Sequence, residues 1–322
     1  MKKLLLTSIA FVALVAGPAT AADLARPVHR RPVVVAAPVY TWTGFYVGGN
    51  VGGSWGDART DIAGSATIIS FPGSTAPETN APVTFADSQT QRLNGVIGGG
   101  QIGYKFQFSP RWVLGLEADI QGSGERGSGT FADPFSTLIC TGLAINEPGQ
   151  APFCGTRSPA NGAAVTAYDA KIGWFGTVRG VLGVLITDHV LLYGTGGLAY
   201  GRVELSGNTS VTGSIPPPNV ITPGASVFSE SKTNVGYAFG GGFEGKCSYL
   251  PTGWTWKAEY LYVDLGSLDT VAPFPGGPVV GVPGPLTTPF TGAITTHTRF
   301  TDNIVRVGLN YKFGYAAAPV YK

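Results

Sequence analysis

Long hydrophobic runs and charged residues are both scarce in this sequence beyond its first residues. Only 12% of the 322 residues are Asp, Glu, Lys or Arg. After residue 22, glycine, polar or charged residues interrupt every apolar stretch, so none reaches the roughly 20 residues that a membrane-spanning helix needs. Without Lys2 and Lys3, 19 of the 21 Lys and Arg residues remain, against 19 Asp and Glu. This balance leaves no excess of positive charge of the kind that binds nucleic acid.

Histidine is scarce too, which limits the chemistry that the chain can perform. The three histidines are His29, His189 and His297, and none has a Ser and an Asp at a spacing that suggests a catalytic triad. We therefore predict no enzyme, no metal site and no cofactor. Of the three, His297, in the segment before the last predicted strand, is the one suitably placed as an axial ligand for haem. A lone histidine of this kind is more often simply solvated.

The three cysteines belong to a chain that we expect to be exported into an oxidising compartment, where disulfides persist. Cys140 and Cys154 form the natural pair, and Cys247 is left over as a free, half-buried thiol.

The two ends of the sequence differ from its middle. Residues 1–21 combine Lys2 and Lys3 with an apolar stretch and a small-residue cleavage pattern, which predicts a signal peptide. Residues 22–41 are rich in proline and predict an extended periplasmic linker. Residues 42–313 form the predicted domain, and residues 314–322 a short periplasmic tail.

Alternation of apolar and polar residues is the main structural signal of residues 42–313. With 48 Gly, 24 Pro and 11% aromatic residues, the composition favours an all-β fold. Period-two segments predict eight strands, beginning with 45–55 and ending with 303–313. In seven of them every charged residue lies on the polar face, and the facing of the fifth, 190–203, stays open. Because Lys or Arg facing lipid costs about 2–4 kcal/mol at the midplane, this pattern predicts an antiparallel up-and-down transmembrane β-barrel with its charges in the lumen. The predicted lumen charges are Lys105, Glu117, Asp119, Lys171, Arg179, Glu244, Lys246, Lys257, Glu259, Arg306 and Lys312.

Aromatic residues cluster near the predicted strand ends, as in the girdles of membrane barrels. The predicted girdle consists of Trp42, Trp55, Trp112, Trp174, Trp254, Trp256, Tyr311 and Phe313. Connections alternate in length: 109–111, 184–189 and 249–253 are short, and 56–94, 123–170, 204–233 and 266–302 are long. We interpret the short ones as periplasmic turns and the long ones as irregular extracellular loops.

Five blocks of the chain resemble the porin-like outer-membrane immunogenic proteins of Gram-negative bacteria. They are Thr43 to Gly49, Gly176 to Gly180, Tyr193 to Gly201, Glu259 to Gly266, and Asn303 to Phe313. The resemblance covers nearly the whole mature chain and implies a single eight-stranded domain in the outer membrane, inserted by the barrel-assembly machinery. Some members of this family bind haem at the surface. Many outer-membrane barrels end at a terminal aromatic residue, whereas here nine residues follow Phe313.

An eight-stranded barrel has an interior that side chains just fill, and opposed charges there can pair. We therefore expect a structural, surface-exposed and antigenic outer-membrane protein with little or no conductance. Two alternatives stay open: binding of haem, host or environmental ligands, or adhesion, through the extracellular loops, and a narrow general porin. Its expected partners are outer-membrane lipid and the assembly machinery, and not nucleic acid.

Overall fold

A computed structural model describes residues 40–69, 80–144, 153–214, 220–273, 279–280 and 291–313. The predicted signal peptide, residues 22–39 of the linker and the tail 314–322 lie outside the described residues. Within these ranges, no helix is long and apolar enough to cross a membrane.

Eight long antiparallel strands close into a ring, which confirms the predicted fold class. The strands are β1 (Gly44–Ile69), β2 (Asn80–Gln107), β3 (Trp112–Ala144), β4 (Phe153–Thr187), β5 (Val190–Ser214), β6 (Val220–Lys246), β7 (Trp254–Pro273), β8 (Val279–Val280) and β9 (Thr291–Lys312). Each long strand pairs with the next long strand of the chain, and β9 pairs with β1, so the sheet is closed. The two-residue strand β8 lies beside the outer end of β6.

The half of the ring next to the short turns has an apolar exterior. On β1, Phe45, Val47 and Val51 point outward and are exposed, whereas Tyr46 points inward and is buried. Glycine makes room for the inward aromatic ring, because a Cβ atom at Gly103 would lie 2.4 Å from the Tyr46 hydroxyl oxygen. Apolar side chains outside and polar ones inside are what a lipid environment requires.

The fifth strand, whose facing the sequence left open, follows the same rule. Tyr193, Thr195 and Ala199 are buried inside the ring, and Leu192 and Leu198 are exposed outside it. Its inward set is apolar or hydroxylated rather than charged, so sequence periodicity could not distinguish the two faces.

The long connections are not irregular loops, and this prediction was wrong. Strands of 20 to 35 residues extend far into all four of these segments. In the extension of β1 the alternation continues but its polarity reverses: Ala58 and Ile62 are buried inside, and Asp57 and Arg59 are exposed outside. Outside a membrane the exterior meets water, so the apolar side chains turn to the interior.

We call the half of the ring next to the short turns the membrane half. Beyond it, the ring opens into two four-stranded sheets, which we call the outer sheets. The backbone pairing of β2 with β3 ends at Asn94–Arg126, and that of β6 with β7 ends at Tyr237–Asp264. Past these points β2, β1, β9 and β7 form one sheet, and β3, β4, β5 and β6 the other. Buried apolar residues of both sheets form one core that fills the space between them, including Ile62, Val83, Phe85, Phe131, Phe135, Tyr168, Leu205, Phe228, Leu268 and Phe300.

The unpaired edges at the two seams carry features that oppose further strand pairing. On the β6 edge Glu230 and Lys232 are exposed, and on the β3 edge Pro134 lacks a backbone donor. On β7 the chain turns away from β6 at Gly266, whose φ of 73° favours glycine and whose N–H donates to the Asp264 carboxylate at 2.8 Å. Charged residues and proline on an edge discourage edge-to-edge association.

Candidate functional site

Six charged side chains meet in the lumen of the membrane half. The cations are Arg179, Lys257 and Arg306, and the carboxylates are Glu117, Asp119 and Glu259. All six are at most 4% exposed, and their formal charges cancel. We call this group the lumen cluster.

Arg179 is at the centre of the lumen cluster. Its Nη2 atom lies 2.6 Å from Glu117 and 3.0 Å from Asp119, and its Nη1 atom lies 3.0 Å from Glu259. Arg306 bridges Asp119 and Glu259 at 2.8 and 2.6 Å. Lys257 bridges Glu117 and Glu259 at 2.6 and 3.3 Å. Each carboxylate therefore contacts at least two cations, which is the arrangement that can offset the cost of taking charges out of water.

Hydroxyl groups complete the coordination of the carboxylates. Tyr46 on β1 donates to Glu117 at 2.6 Å, Thr177 on β4 donates to Asp119 at 2.9 Å, and Tyr193 on β5 donates to Glu259 at 3.1 Å. With β3, β7 and β9, six of the eight strands contribute to the network. It therefore extends across the lumen rather than along one wall.

A second charged layer lies towards the short turns. Lys105 contacts Glu244, which also accepts a hydrogen bond from Thr255 at 2.8 Å. Lys312 contacts the carbonyl oxygen of Thr41, and Lys246 lies 3.6 Å from the centroid of the Tyr40 ring. These two lysines contact the segment that precedes β1, and neither forms an ion pair with a carboxylate of the described residues.

Trp42 is not part of the exterior girdle, so this part of the prediction was wrong. It is 2% exposed and packs inside the barrel against Val113, Val181, Leu191 and Tyr193. Its backbone N–H donates to Gln107 at 3.0 Å, which holds the segment before β1 across the mouth of the barrel. The sequence offered no signal for this, because tryptophan before a first strand fits a girdle equally well.

Lys171 is not in the lumen, which corrects a second prediction. A register shift in β4 between Ile172 and Trp174 marks a β-bulge at Gly173. One extra residue reverses the facing of everything beyond it, so Lys171 points outward, 3.5 Å from Glu204, and Ile172 is buried inside. The other ten predicted lumen residues lie on inward positions of their strands.

The remaining predicted girdle residues lie on the exterior, near the two ends of the apolar zone. Trp112, Trp254, Trp256, Tyr311 and Phe313 are at the end with the short turns, and Trp55 and Trp174 are at the other. The rings of Trp254 and Tyr311 are tilted against each other with 5.4 Å between their centroids, and those of Trp174 and Tyr200 meet edge to face at 6.1 Å. Their contact with the lipid interface stays a prediction.

Two buried carboxyl groups lie further outward, past the last lipid-facing apolar residues of their strands, Ile120 and Val305. Glu125 and Asp302 face each other inside the ring, and no cation pairs with either one among the described residues. Burial, reinforced by the charge of Asp302, raises the pKa of Glu125, and burial raises the pKa of Asp302. Two like charges in one buried site favour the protonated form of at least one of them.

His297 lies on the outer wall of β9 rather than in a loop. Its Nδ1 atom is 2.5 Å from Asp269, and Asp61 occupies the paired position on β1. A shallow groove of about 680 Å³ passes over these residues and Asp87. The surrounding carboxylates would repel the propionates of haem, and no set of three or more His, Cys, Asp or Glu side chains among the described residues could hold a metal.

Cys140 and Cys154 form a disulfide between β3 and β4, with 5.7 Å between their Cα atoms. Cys247, at the turn between β6 and β7, is half-buried and unbridged.

A closed barrel with an apolar exterior and a charged interior defines the class of outer-membrane β-barrel proteins. The family model of the outer membrane protein beta-barrel domain matches residues 8–313, and the chain belongs to that family. Its outer-membrane location follows from this membership.

Named relatives agree with this assignment. The chain is 32% identical over 313 residues to the 31 kDa outer-membrane immunogenic protein of Brucella melitensis, covering 97% of this chain and all of the relative. It is 38% identical over 99 residues to the 22 kDa outer membrane protein of Rhizobium leguminosarum bv. viciae, covering 31% of this chain and 36% of that one. Among solved structures, the attachment invasion locus protein Ail of Yersinia pestis matches with a TM-score of 0.25 and 14% identity, covering 80% of this chain and 98% of Ail.

Proposed function

We propose that this protein is a structural, surface-exposed and antigenic component of the outer membrane whose lumen is closed, so that it conducts little or nothing. The lumen cluster is the observation that carries this proposal. Its six charged side chains contact one another at 2.6–3.3 Å. A passing ion would have to break these ion pairs before it could bind to any of the charged groups. Selective channels instead keep charged groups available to the permeating ion.

Two further layers support the same reading. On one side of the lumen cluster, Tyr40 and Trp42 occupy the mouth of the barrel. On the other side, buried apolar side chains fill the space between the two outer sheets, and buried threonines there hydrogen-bond to one another, as Thr166 and Thr209 do at 2.8 Å. A conducting state would need all three layers to move.

The outer sheets support a role at the cell surface. Their exposed faces carry charged residues such as Asp57, Arg59 and Glu230. The sheets lie at the end opposite the short turns, which in outer-membrane barrels are periplasmic. We propose no catalytic role, because among the described residues no hydroxyl or thiol group hydrogen-bonds to His297. We expect an antibody raised against the folded protein to stain intact cells, and binding only after permeabilisation would contradict surface display.

Solute uptake by proteoliposomes tests the closed lumen. We expect vesicles that contain the folded protein to swell in a small sugar no faster than protein-free vesicles, with a general porin as the positive control. Swelling at a rate close to that of the porin would contradict the proposal. The variant Lys171→Ala removes a cation outside the barrel and is expected to leave the rate unchanged, which makes it the matched control for Arg179→Ala in the lumen cluster.

A further inference from the structure

A group of cations lies on the exterior of the barrel where the apolar surface ends. Arg92 on β2 and Arg126 on β3 are exposed and have no ion-pair partner among the described residues. Arg126 stands opposite Asn94 on β2, and Arg92 lies two residues further along the same outward face of β2. Asp57 stands opposite Arg92 on β1 without forming an ion pair.

Lys171 extends this group onto β4. It is the residue directly opposite Arg126 in the β3–β4 pairing. Like charges directly opposite each other on a sheet are destabilising, so the pairing of Arg126 with Lys171 does not stabilise the fold. Glu204 contacts Lys171 at 3.5 Å but also pairs with Arg202 at 3.0 Å, and no carboxylate in the described part of the chain pairs with Arg126. We call Arg92, Arg126 and Lys171 the rim cations.

The surface between the rim cations and the membrane midplane is shallow. Gly98, Gly122 and Gly124 face outward there, and a Cβ atom at any of them would meet no atom closer than 3.4 Å. The exterior of β2 and β3 therefore has a shallow recess that runs towards the rim cations. An acyl chain in this recess would bring its own headgroup to Arg126, two residues beyond Gly124.

We propose that the rim cations bind the phosphate groups of a phosphorylated glycolipid of the outer leaflet, with an acyl chain along the glycine recess. Arginine binds phosphate oxygens in pairs, and exposed arginines without carboxylate partners are free to do so. The site is independent of whether the lumen conducts, since it lies on the opposite side of the wall.

Native mass spectrometry of the folded, detergent-extracted full chain tests this assignment by titration with lipopolysaccharide of the deep-rough type. The test variant is Arg92→Gln/Arg126→Gln. The matched control is Arg59→Gln/Arg111→Gln, which removes the same charge away from the rim cations: Arg59 pairs with Asp61, and Arg111 lies in the short turn between β2 and β3. Heat-modifiable migration on gels verifies that each variant is folded before it is titrated.

We expect the test variant to bind about twenty-five-fold more weakly than the wild type, since each of the two cations near an anionic lipid surface contributes roughly fivefold. The control is expected to change binding by less than about threefold on the same scale. Dephosphorylated glycolipid is expected to bind the wild type as weakly as phosphorylated glycolipid binds the test variant. Equal weakening in both variants, equal binding of dephosphorylated lipid, or displacement of the lipid by equimolar inorganic phosphate would overturn the proposal.

Discussion

Replacing Arg179 by methionine is the most direct test of how the lumen cluster stabilises the barrel. Arg179 is fully buried, and its guanidinium lies within 2.6–3.0 Å of three carboxylates. Methionine keeps most of the side-chain volume but leaves two cations to balance Glu117, Asp119 and Glu259. Removing one partner of a buried ion pair costs about 3–5 kcal/mol, because the remaining charge stays buried without compensation. We therefore expect a loss of that size in the free energy of unfolding.

Urea titration in lipid vesicles, followed by the gel migration of folded and unfolded protein, measures this loss. The control is Lys171→Met, because Lys171 is 39% exposed and 3.5 Å from its partner Glu204. An exposed pair of this kind contributes about 0–1 kcal/mol. In the double variant Arg179→Met/Asp119→Asn the formal charges balance again, so we expect it to recover part of the stability. A loss below about 1 kcal/mol for Arg179→Met, or one equal to that of Lys171→Met, would refute the reasoning.

Three further predictions follow from the outer half of the molecule. Because the pKa values of Glu125 and Asp302 are raised, the contribution of this pair to stability is greatest below the pKa of an unfolded carboxyl group, about 4, and falls as pH rises above it. Thermal unfolding of Glu125→Gln should therefore show a higher Tm than wild type at pH 8 and a flatter pH dependence, and a lower Tm would contradict this. Non-reducing peptide mapping should recover Cys140 and Cys154 in one linked peptide, and reduction should lower stability by at most about 3 kcal/mol, the value of a 15-residue ring in the chain-entropy model. Haem titration should give no absorbance change that depends on His297. A change that is seen in the wild type and lost in His297→Ala would favour the ligand-binding alternative.

Much of the membrane half could be predicted from the sequence, because there the environment imposes a strict rule. Lipid excludes charge from one face, and the lumen accepts it on the other, so residues such as Glu117 and Arg306 reveal their facing. The lumen cluster itself needed the structure. Which cation meets which carboxylate depends on strand register across the ring, and strand register is not visible in any single segment.

The outer half was wrongly interpreted as loops, although its sequence carries a signal. From Asp57 to Ala66 the same alternation continues in β1, but the apolar residues change from the outward to the inward positions. A search for one fixed polarity stops at this reversal. The facing of Lys171 was harder to predict, because it depends on one extra residue at Gly173. A glycine in a strand does not by itself indicate a β-bulge.

Single-channel recording in planar bilayers tests the closed lumen most directly. We expect wild-type protein to insert without stable current steps under conditions in which a general porin conducts. Stable currents in the wild type, with an ion preference that changes in Arg179→Ala and is unchanged in Lys171→Ala, would show that ions pass through the lumen cluster and would contradict the closed barrel.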